Sequence, residues 1–513
     1  MTAMVTPSRV VEPRSWVLRY FWPLLCGTLL LRLLVDMRFP LVPDEAVYWS
    51  WSRHLALGYF DHPPMIAWIN WIFSRAIGST ELGVRFPMTV MMAGAVAVIV
   101  TTAARIIPNA QGVKWVAIIW LVSPLMVGFA TISTPDTPAI FFSTCALACV
   151  LRTALNDDAE NLPDNSAAIW WILFGLFCGL AFLSKYTTVL LPAAVVASLA
   201  FSAKGRRHFR QPYLYLAAIL SLVIFAPVIY WNYRHEWASF LFQLHHGVND
   251  PASDAPASRI PLIVRMPLNV LVYFAGQSLL WTPVLFVIGL VILTSNAKRI
   301  FQITEVDRLL FFCAAFPLGL FALASAHKLG EANWPCFAYV PLSLLTGRWI
   351  AEQNTAVRAH AVKEGAKLAL IFTAVIHIPF IPGVPGLAKL APGYARLPHS
   401  ARDLLDGDRR VYGRELAVAA NGALVVCNRH QDAAIASFYM PGQPDVWCDG
   451  VGFRPTAYDY FDVKPDFSTI DHVLFVGWHG AMFMAKHHYT QSRLVIVGSA
   501  NASPPRMAAM VSR

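Results

Sequence analysis

The sequence predicts a mainly helical, polytopic membrane protein with a small α/β unit at its C-terminal end. Three observations lead there. Of 513 residues, 57% are hydrophobic and 14% charged, well under the roughly 25% charge of a soluble domain. Apolar windows of about 20 residues, the length a helix needs to cross a hydrocarbon core of roughly 30 Å, recur from near residue 16 to about residue 380. From Pro392 to Arg513 charged and turn residues return. The expected division is therefore a membrane part, residues 1–390, followed by a soluble part, residues 391–513.

Counting apolar runs gives about eleven spans: 16–37, 83–104, 113–131, 136–155, 168–184, 186–203, 212–231, 266–294, 309–326, 334–350 and 366–383. The run 266–294 is long enough to tilt or break near Trp281-Thr282-Pro283. Arg9, Arg14 and Arg19 precede a long apolar stretch ending near Val35 and place the N-terminus in the cytoplasm as an uncleaved first span. The inner loops then hold Arg105 and Lys114, Lys204 to Arg210, Lys298 and Arg299, and Arg358 to Lys367, as the positive-inside rule requires. An odd number of spans puts the C-terminal unit on the outer side.

That unit reads as strands at 423–427, 446–448, 472–476 and 494–497, with a helix from Gln431 to Tyr439. Cys427 and Cys448 fall within it, as a disulfide or as two thiols. Six other cysteines lie in or beside apolar runs, where cysteine behaves as a small hydrophobe. The net charge of +10 is scattered between apolar segments rather than massed on one polar element, which argues against nucleic acid as a partner.

The unusual residues crowd the outer loops. Pro43 to Trp71 reads PDEAVYWSWSRHLALGYFDHPPMIAWINW. Asp44 and Glu45 open an aromatic-rich helix at the end where the dipole favours carboxylates. Asp61-His62 precede Pro63-Pro64 and a second interfacial helix. Asp44 as a mere helix cap, with Tyr48, Trp49, Trp51, Trp68 and Trp71 as an interfacial belt, is the competing assignment; two acidic pairs on one membrane face favour chemistry. Asp136 lies between prolines on the same face. Lys185 is a cation inside a long apolar stretch, which makes it a functional candidate with an anion, such as a lipid phosphate, for a partner. Arg234, and the segment His327 to Pro335 with Lys328, Glu331 and Asn333, offer further phosphate or acceptor contacts.

These motifs carry a resemblance. PDEAVYW, YFDHPP, PDTP, GLAFLSKY and EANWP follow one another as in the bacterial relatives of the protein O-mannosyltransferases and of the lipid A aminoarabinose transferase, membrane glycosyltransferases of the GT-C fold. The resemblance implies a sugar donor carried on a polyprenyl phosphate and an envelope glycolipid or glycan acceptor, in a bacterial inner membrane. It implies Asp44 as catalytic carboxylate, with Glu45, Asp61, His62 and Asp136 in the same group. Lys185, with Arg234 and Lys328, would hold the carrier phosphate, and Tyr59, Glu331 and Asn333 would contact substrate. The chain departs from the protein mannosyltransferases by lacking a large domain inserted in its later half, which puts a protein acceptor in doubt.

A single base and a phosphate leaving group predict inversion at the anomeric carbon, with Asp44 taking the acceptor proton. No certain cofactor is implied; a divalent cation held by Asp44, Asp61, His62 and an outer-loop His is an option that the spacing does not demand. A transporter or lipid flippase is the competing class. Such proteins often show internal repeats and charges near the midplane, whereas no repeat is evident here and the candidates gather at one face.

Overall fold

The computed structural model describes residues 13–153, 164–248, 262–352, 355–377, 409–451, 453–477, 479–497 and 506–512. Up to His377 these residues are mostly helical. Among them, Arg14–Leu34, Glu81–Ile106, Pro212–Arg234, Ile263–Trp281 and Glu305–His327 are long and apolar enough to cross a membrane, and Tyr186–Ala200 with Ala203–Arg210 forms one more, bent by 107°. The other expected spans fall on shorter or less apolar helices, including Ala110–Val122, Asp136–Thr153 and Tyr339–Ala351. The end of the last expected span and the division at 390 lie outside the described residues.

Two expected spans are broken for local reasons. The run 113–131 splits at Ser123-Pro124, where proline brings no N–H to the helix ladder. The run 266–294 becomes two helices, Leu262–Trp281 and Pro283–Lys298, because Thr282 adopts φ 69° and Pro283 opens the second helix. Elsewhere the helices cross tightly. A Cβ on Gly112 would lie 2.4 Å from the Gly347 carbonyl oxygen, and one on Gly175 would lie 2.4 Å from that of Ala217, so glycine sets these approaches, as is common between apolar helices.

After the first span, the chain forms two short helices, Pro43–Arg53 and Met65–Ile77. The first opens on its proline and the second follows Pro63-Pro64. Pro43 takes the first helical position, where its missing N–H costs nothing, and the Val42 N–H donates to the Glu45 carboxylate at 2.8 Å.

The C-terminal residues build one sheet from β1 (Leu424–Cys427), β2 (Trp447–Cys448), β3 (His472–Val476), β4 (Gln491–Val497) and β5 (Arg506–Ser512). Its order is β2-β1-β3-β5-β4. β1 runs parallel to β2 and β3, and β5 antiparallel to β3 and β4. Four strands fall on the expected runs. β5 does not read as a strand, since its Met-Ala-Ala-Met favours helix; pairing with β3 on one side and β4 on the other overrides that preference. The expected helix is His430–Tyr439, and Arg409–Ala420 and Gly480–His487 add two more. Cys427 and Cys448 face each other in register on β1 and β2 as thiols, not as a disulfide.

This sheet does not stand apart. One hydrophobic core runs from the first-loop helices through Trp49 and Trp51 into Val426, Ile435 and Phe475. Trp49 meets Phe438 edge-on at 4.9 Å, Arg53 pairs with Asp445 at 2.7 Å, and Arg410 pairs with Glu81 at 2.7 Å. The His430–Tyr439 helix is thereby packed against the Pro43–Arg53 helix.

Candidate active site

Where the first-loop helices, the start of the Asp136–Thr153 helix and the break at Ser184-Lys185 converge, they enclose a cavity of about 1070 Å³. Asp44, Asp61, His62, Asp136, Lys185, Glu331 and Asn333 all line it. Part of its wall is apolar and comes from spanning helices: Phe182, Leu190, Leu222, Phe225 and Leu320.

Lys185 is placed by an interruption. The helix before it ends at Ser184, Lys185 itself is extended with φ −155°, and a short 3-10 turn follows from Tyr186. Its Nζ donates to Asp136 Oδ1 at 2.6 Å, with both side chains under a tenth exposed. Asn333 Nδ2 donates to the other Asp136 oxygen at 3.0 Å, and Cys336 Sγ lies 3.3 Å from Oδ1. The cation expected to await a lipid phosphate therefore already has an internal anion, as a buried charge requires.

Asp44 has a different environment. Burial raises its proton affinity above the ordinary carboxylate range, the negative charges of Glu331, Asp61 and Glu45 raise it further, and a hydrogen bond with Gln431 opposes them. Among the described residues no cation forms an ion pair with it. A carboxylate so destabilised is a better proton acceptor than an ordinary one. Asp61 accepts from Arg454 Nη1 at 2.8 Å, and its main-chain oxygen accepts from Gln243 at 2.6 Å. The cavity lining thus sets four carboxylates, Asp44, Asp61, Asp136 and Glu331, against two permanent cations, Lys185 and Arg454.

Four expected residues are placed elsewhere. Glu45 turns away from the cavity: it is fully buried and paired with Arg85 at 2.6 Å, because the first turn of its helix points successive side chains in different directions. Tyr59 stacks on Trp51 at 4.5 Å, and its hydroxyl donates to the main chain of Trp51 and His54. Arg234 ends its helix and donates to the Tyr230 hydroxyl at 3.2 Å, and Lys328 caps the Glu305–His327 helix. None of the four is among the cavity-lining residues. The option of a divalent cation finds no ligand set, since among the described residues no three His, Cys, Asp or Glu side chains gather as a metal would need.

Sequence reading misses the contribution of the C-terminal unit, His430, Gln431 and Arg454. A signal was present for the first two: they belong to a polar stretch, Asn428 to Asp432, that follows β1, and the carboxyl end of a parallel strand is where open α/β sheets place ligand contacts. Arg454, in an irregular segment, had none. Burial lowers the proton affinity of His430 below the usual imidazole value, with Asp61 opposing.

The class of fold is that of the GT-C glycosyltransferases. Crystal structures of ArnT from Cupriavidus metallidurans superpose with a TM-score of 0.59 in the apo state, at 17% identity and 98% coverage of both chains. With undecaprenyl phosphate bound the TM-score is 0.61, at 15% identity over 97% of this chain and 98% of that one. In sequence, the chain resembles the bacterial enzymes of this fold. The family model for dolichyl-phosphate-mannose-protein mannosyltransferases matches residues 61–231. The lipid A galacturonosyltransferase RgtD of Rhizobium johnstonii is 25% identical over 305 residues, 59% of each chain. The undecaprenyl phosphate-alpha-4-amino-4-deoxy-L-arabinose arabinosyl transferase of Pectobacterium atrosepticum is 27% identical over 376 residues, 70% of this chain and 62% of its own. The chain spans about three fifths of the length of these two curated relatives.

Proposed function

We propose that this protein is an integral-membrane glycosyltransferase that moves a sugar from a polyprenyl-phosphate carrier, of the undecaprenyl type, to an envelope acceptor such as lipid A, core glycan or another glycolipid. The observation that carries this reading is the cavity: a proton-hungry Asp44 and a buried lysine share one space with a wall of spanning-helix side chains that suits a prenyl chain. The match to undecaprenyl-phosphate-dependent relatives supports the donor class.

In this reading the carrier phosphate takes the place of Asp136 at Lys185, so that the charge developing on the leaving phosphate meets a cation already desolvated for it. The acceptor hydroxyl attacks the anomeric carbon as the bond to phosphate oxygen breaks, and Asp44 receives the hydroxyl proton. Such a base contributes typically 10² to 10⁴-fold. One displacement inverts the anomeric carbon, in contrast to the paired carboxylates that retain configuration. Eleven spans, a cytoplasmic N-terminus, and a cavity and C-terminal sheet on the outer face of the inner membrane complete the proposal. The basic loops at Lys204 to Arg210 and at Lys298-Arg299 support that orientation.

The test incubates detergent-purified protein with a panel of polyprenyl-phosphate sugars and envelope lipid extract, following carrier phosphate and product mass. Release that requires both acceptor and Asp44 is expected. No release with any donor, from protein shown to be folded, overturns the reaction, and a product that keeps the donor's anomeric configuration overturns the single displacement.

A further inference from the structure

Two cations line the cavity, and they differ in setting. Lys185 is buried beside the apolar wall, where a prenyl carrier fits. Arg454 comes from the C-terminal unit, beyond the segment matched by the mannosyltransferase family model, and its side chain is 34% exposed. Its guanidinium carbon lies 4.6 Å from the Phe242 ring centre and 5.9 Å from that of Phe60, contacts that hold the plane of the group in place.

Its hydrogen bonding is one-sided. Nη1 donates to Asp61 Oδ1 at 2.8 Å and to the Pro455 carbonyl at 3.3 Å. Among the described residues Nε and Nη2 have no hydrogen-bond partner. A guanidinium offers a planar fork that matches the two oxygens of a phosphate or carboxylate. Here the fork is oriented, lines a cavity, and is only partly used, while Asp61 keeps the charge compensated until a ligand arrives.

We propose that Arg454 is an oxyanion receptor on the acceptor side of the cavity, binding a phosphate or carboxylate of the acceptor through Nε and Nη2. This rests on the glycosyltransferase reading for the word acceptor, and it gives the C-terminal unit a role in choosing which acceptor is used. The division of labour is physical: the carrier phosphate reaches Lys185 along the apolar wall, and the acceptor anion reaches Arg454 among Asp61, His430 and Gln431.

Binding tests this separately from turnover. The full chain in detergent is titrated with diphosphoryl lipid A, with the same lipid dephosphorylated, and with undecaprenyl phosphate, and complexes are counted by native mass spectrometry for wild type, Arg454→Gln and Arg454→Lys. The wild type is expected to prefer the phosphorylated lipid. Arg454→Gln should weaken that binding by ~10- to 100-fold, the range of a charge-assisted hydrogen-bond pair, with Arg454→Lys intermediate because it keeps the charge and loses the fork. The dephosphorylated lipid should separate the variants by less than about threefold, as should undecaprenyl phosphate. An equal loss for undecaprenyl phosphate assigns Arg454 to the carrier and overturns the acceptor role. A wild type without preference for the phosphorylated lipid, or variants that bind it as the wild type does, overturns the oxyanion role. These outcomes stand apart from the turnover assay, whose failure with every donor strikes the reaction and leaves the binding result intact.

Discussion

Replacing Glu45 by Gln separates a residue that touches reactants from one that positions them. Glu45 is fully buried and accepts four hydrogen bonds: from Arg85 Nε at 2.8 Å and Nη2 at 2.6 Å, from the Val42 N–H at 2.8 Å and from the Ser133 N–H at 3.0 Å. Arg85 in turn donates to the carbonyls of Phe39 and Pro40. The pair therefore ties the approach to the Asp44 helix to the Glu81–Ile106 helix and to a backbone point three residues before Asp136. Gln keeps the size but removes the charge and turns one acceptor into a donor among donors. Breaking a buried pair costs about 3–5 kcal/mol. At ~2 °C per kcal/mol for a long chain, the apparent melting temperature should fall by roughly 6–10 °C. Tryptophan fluorescence during heating reads this, with turnover measured well below the transition, where it should also fall because Asp44 and Asp136 lose their common anchor. The double variant Glu45→Leu with Arg85→Leu should regain most of the stability, since apolar replacement of a whole buried pair is often neutral. If Glu45→Gln abolishes turnover while the melting temperature stays within about 1 °C, Glu45 acts on the reactants and the positioning argument is wrong.

Asp44→Asn should lower turnover by ~10² to 10⁴-fold without loss of heat stability at neutral pH. The sign follows from its raised proton affinity: ionising Asp44 costs the folded chain more than the unfolded one, so stability falls as pH rises from the unfolded pKa through the folded one, and Asn carries no such cost. A melting temperature several degrees below wild type would contradict this. For the same reason wild-type turnover should climb with pH to a point above the ordinary carboxylate range, a limb that a pH–rate profile reads directly. Lys185→Gln should weaken undecaprenyl phosphate binding by about tenfold or more and, by stranding Asp136, lower stability by about 3–5 kcal/mol. Adding Asp136→Asn should restore the stability but not the binding; recovery of both would remove Lys185 from the phosphate site.

Much of this protein was legible along the chain because membrane insertion imposes local rules. Each span must satisfy its own backbone and bury its own apolar length, so the helical class, most of the runs and the break near Thr282 could be read residue by residue. The same holds for Asp44, Asp61, Asp136 and Lys185: an ionisable group in or beside an apolar run is costly, and these four of the singled-out residues meet in one cavity. What depended on long-range packing was not legible. Glu45 adjoins Asp44 in sequence, yet the side chains part because one helical residue turns about 100° from the next and because Arg85, forty positions on, draws Glu45 inward. β5 formed against its helical preference because two neighbours offered hydrogen bonds to its edges. Above all, Arg454 reached Asp61 across 393 positions, through the core that joins the C-terminal sheet to the first loop. Composition and periodicity record what each segment pays to water or lipid, and they determined the class of the fold and singled out candidate charges; only the tertiary structure could decide which of those charges face one another, because that is settled by which surfaces exclude water together.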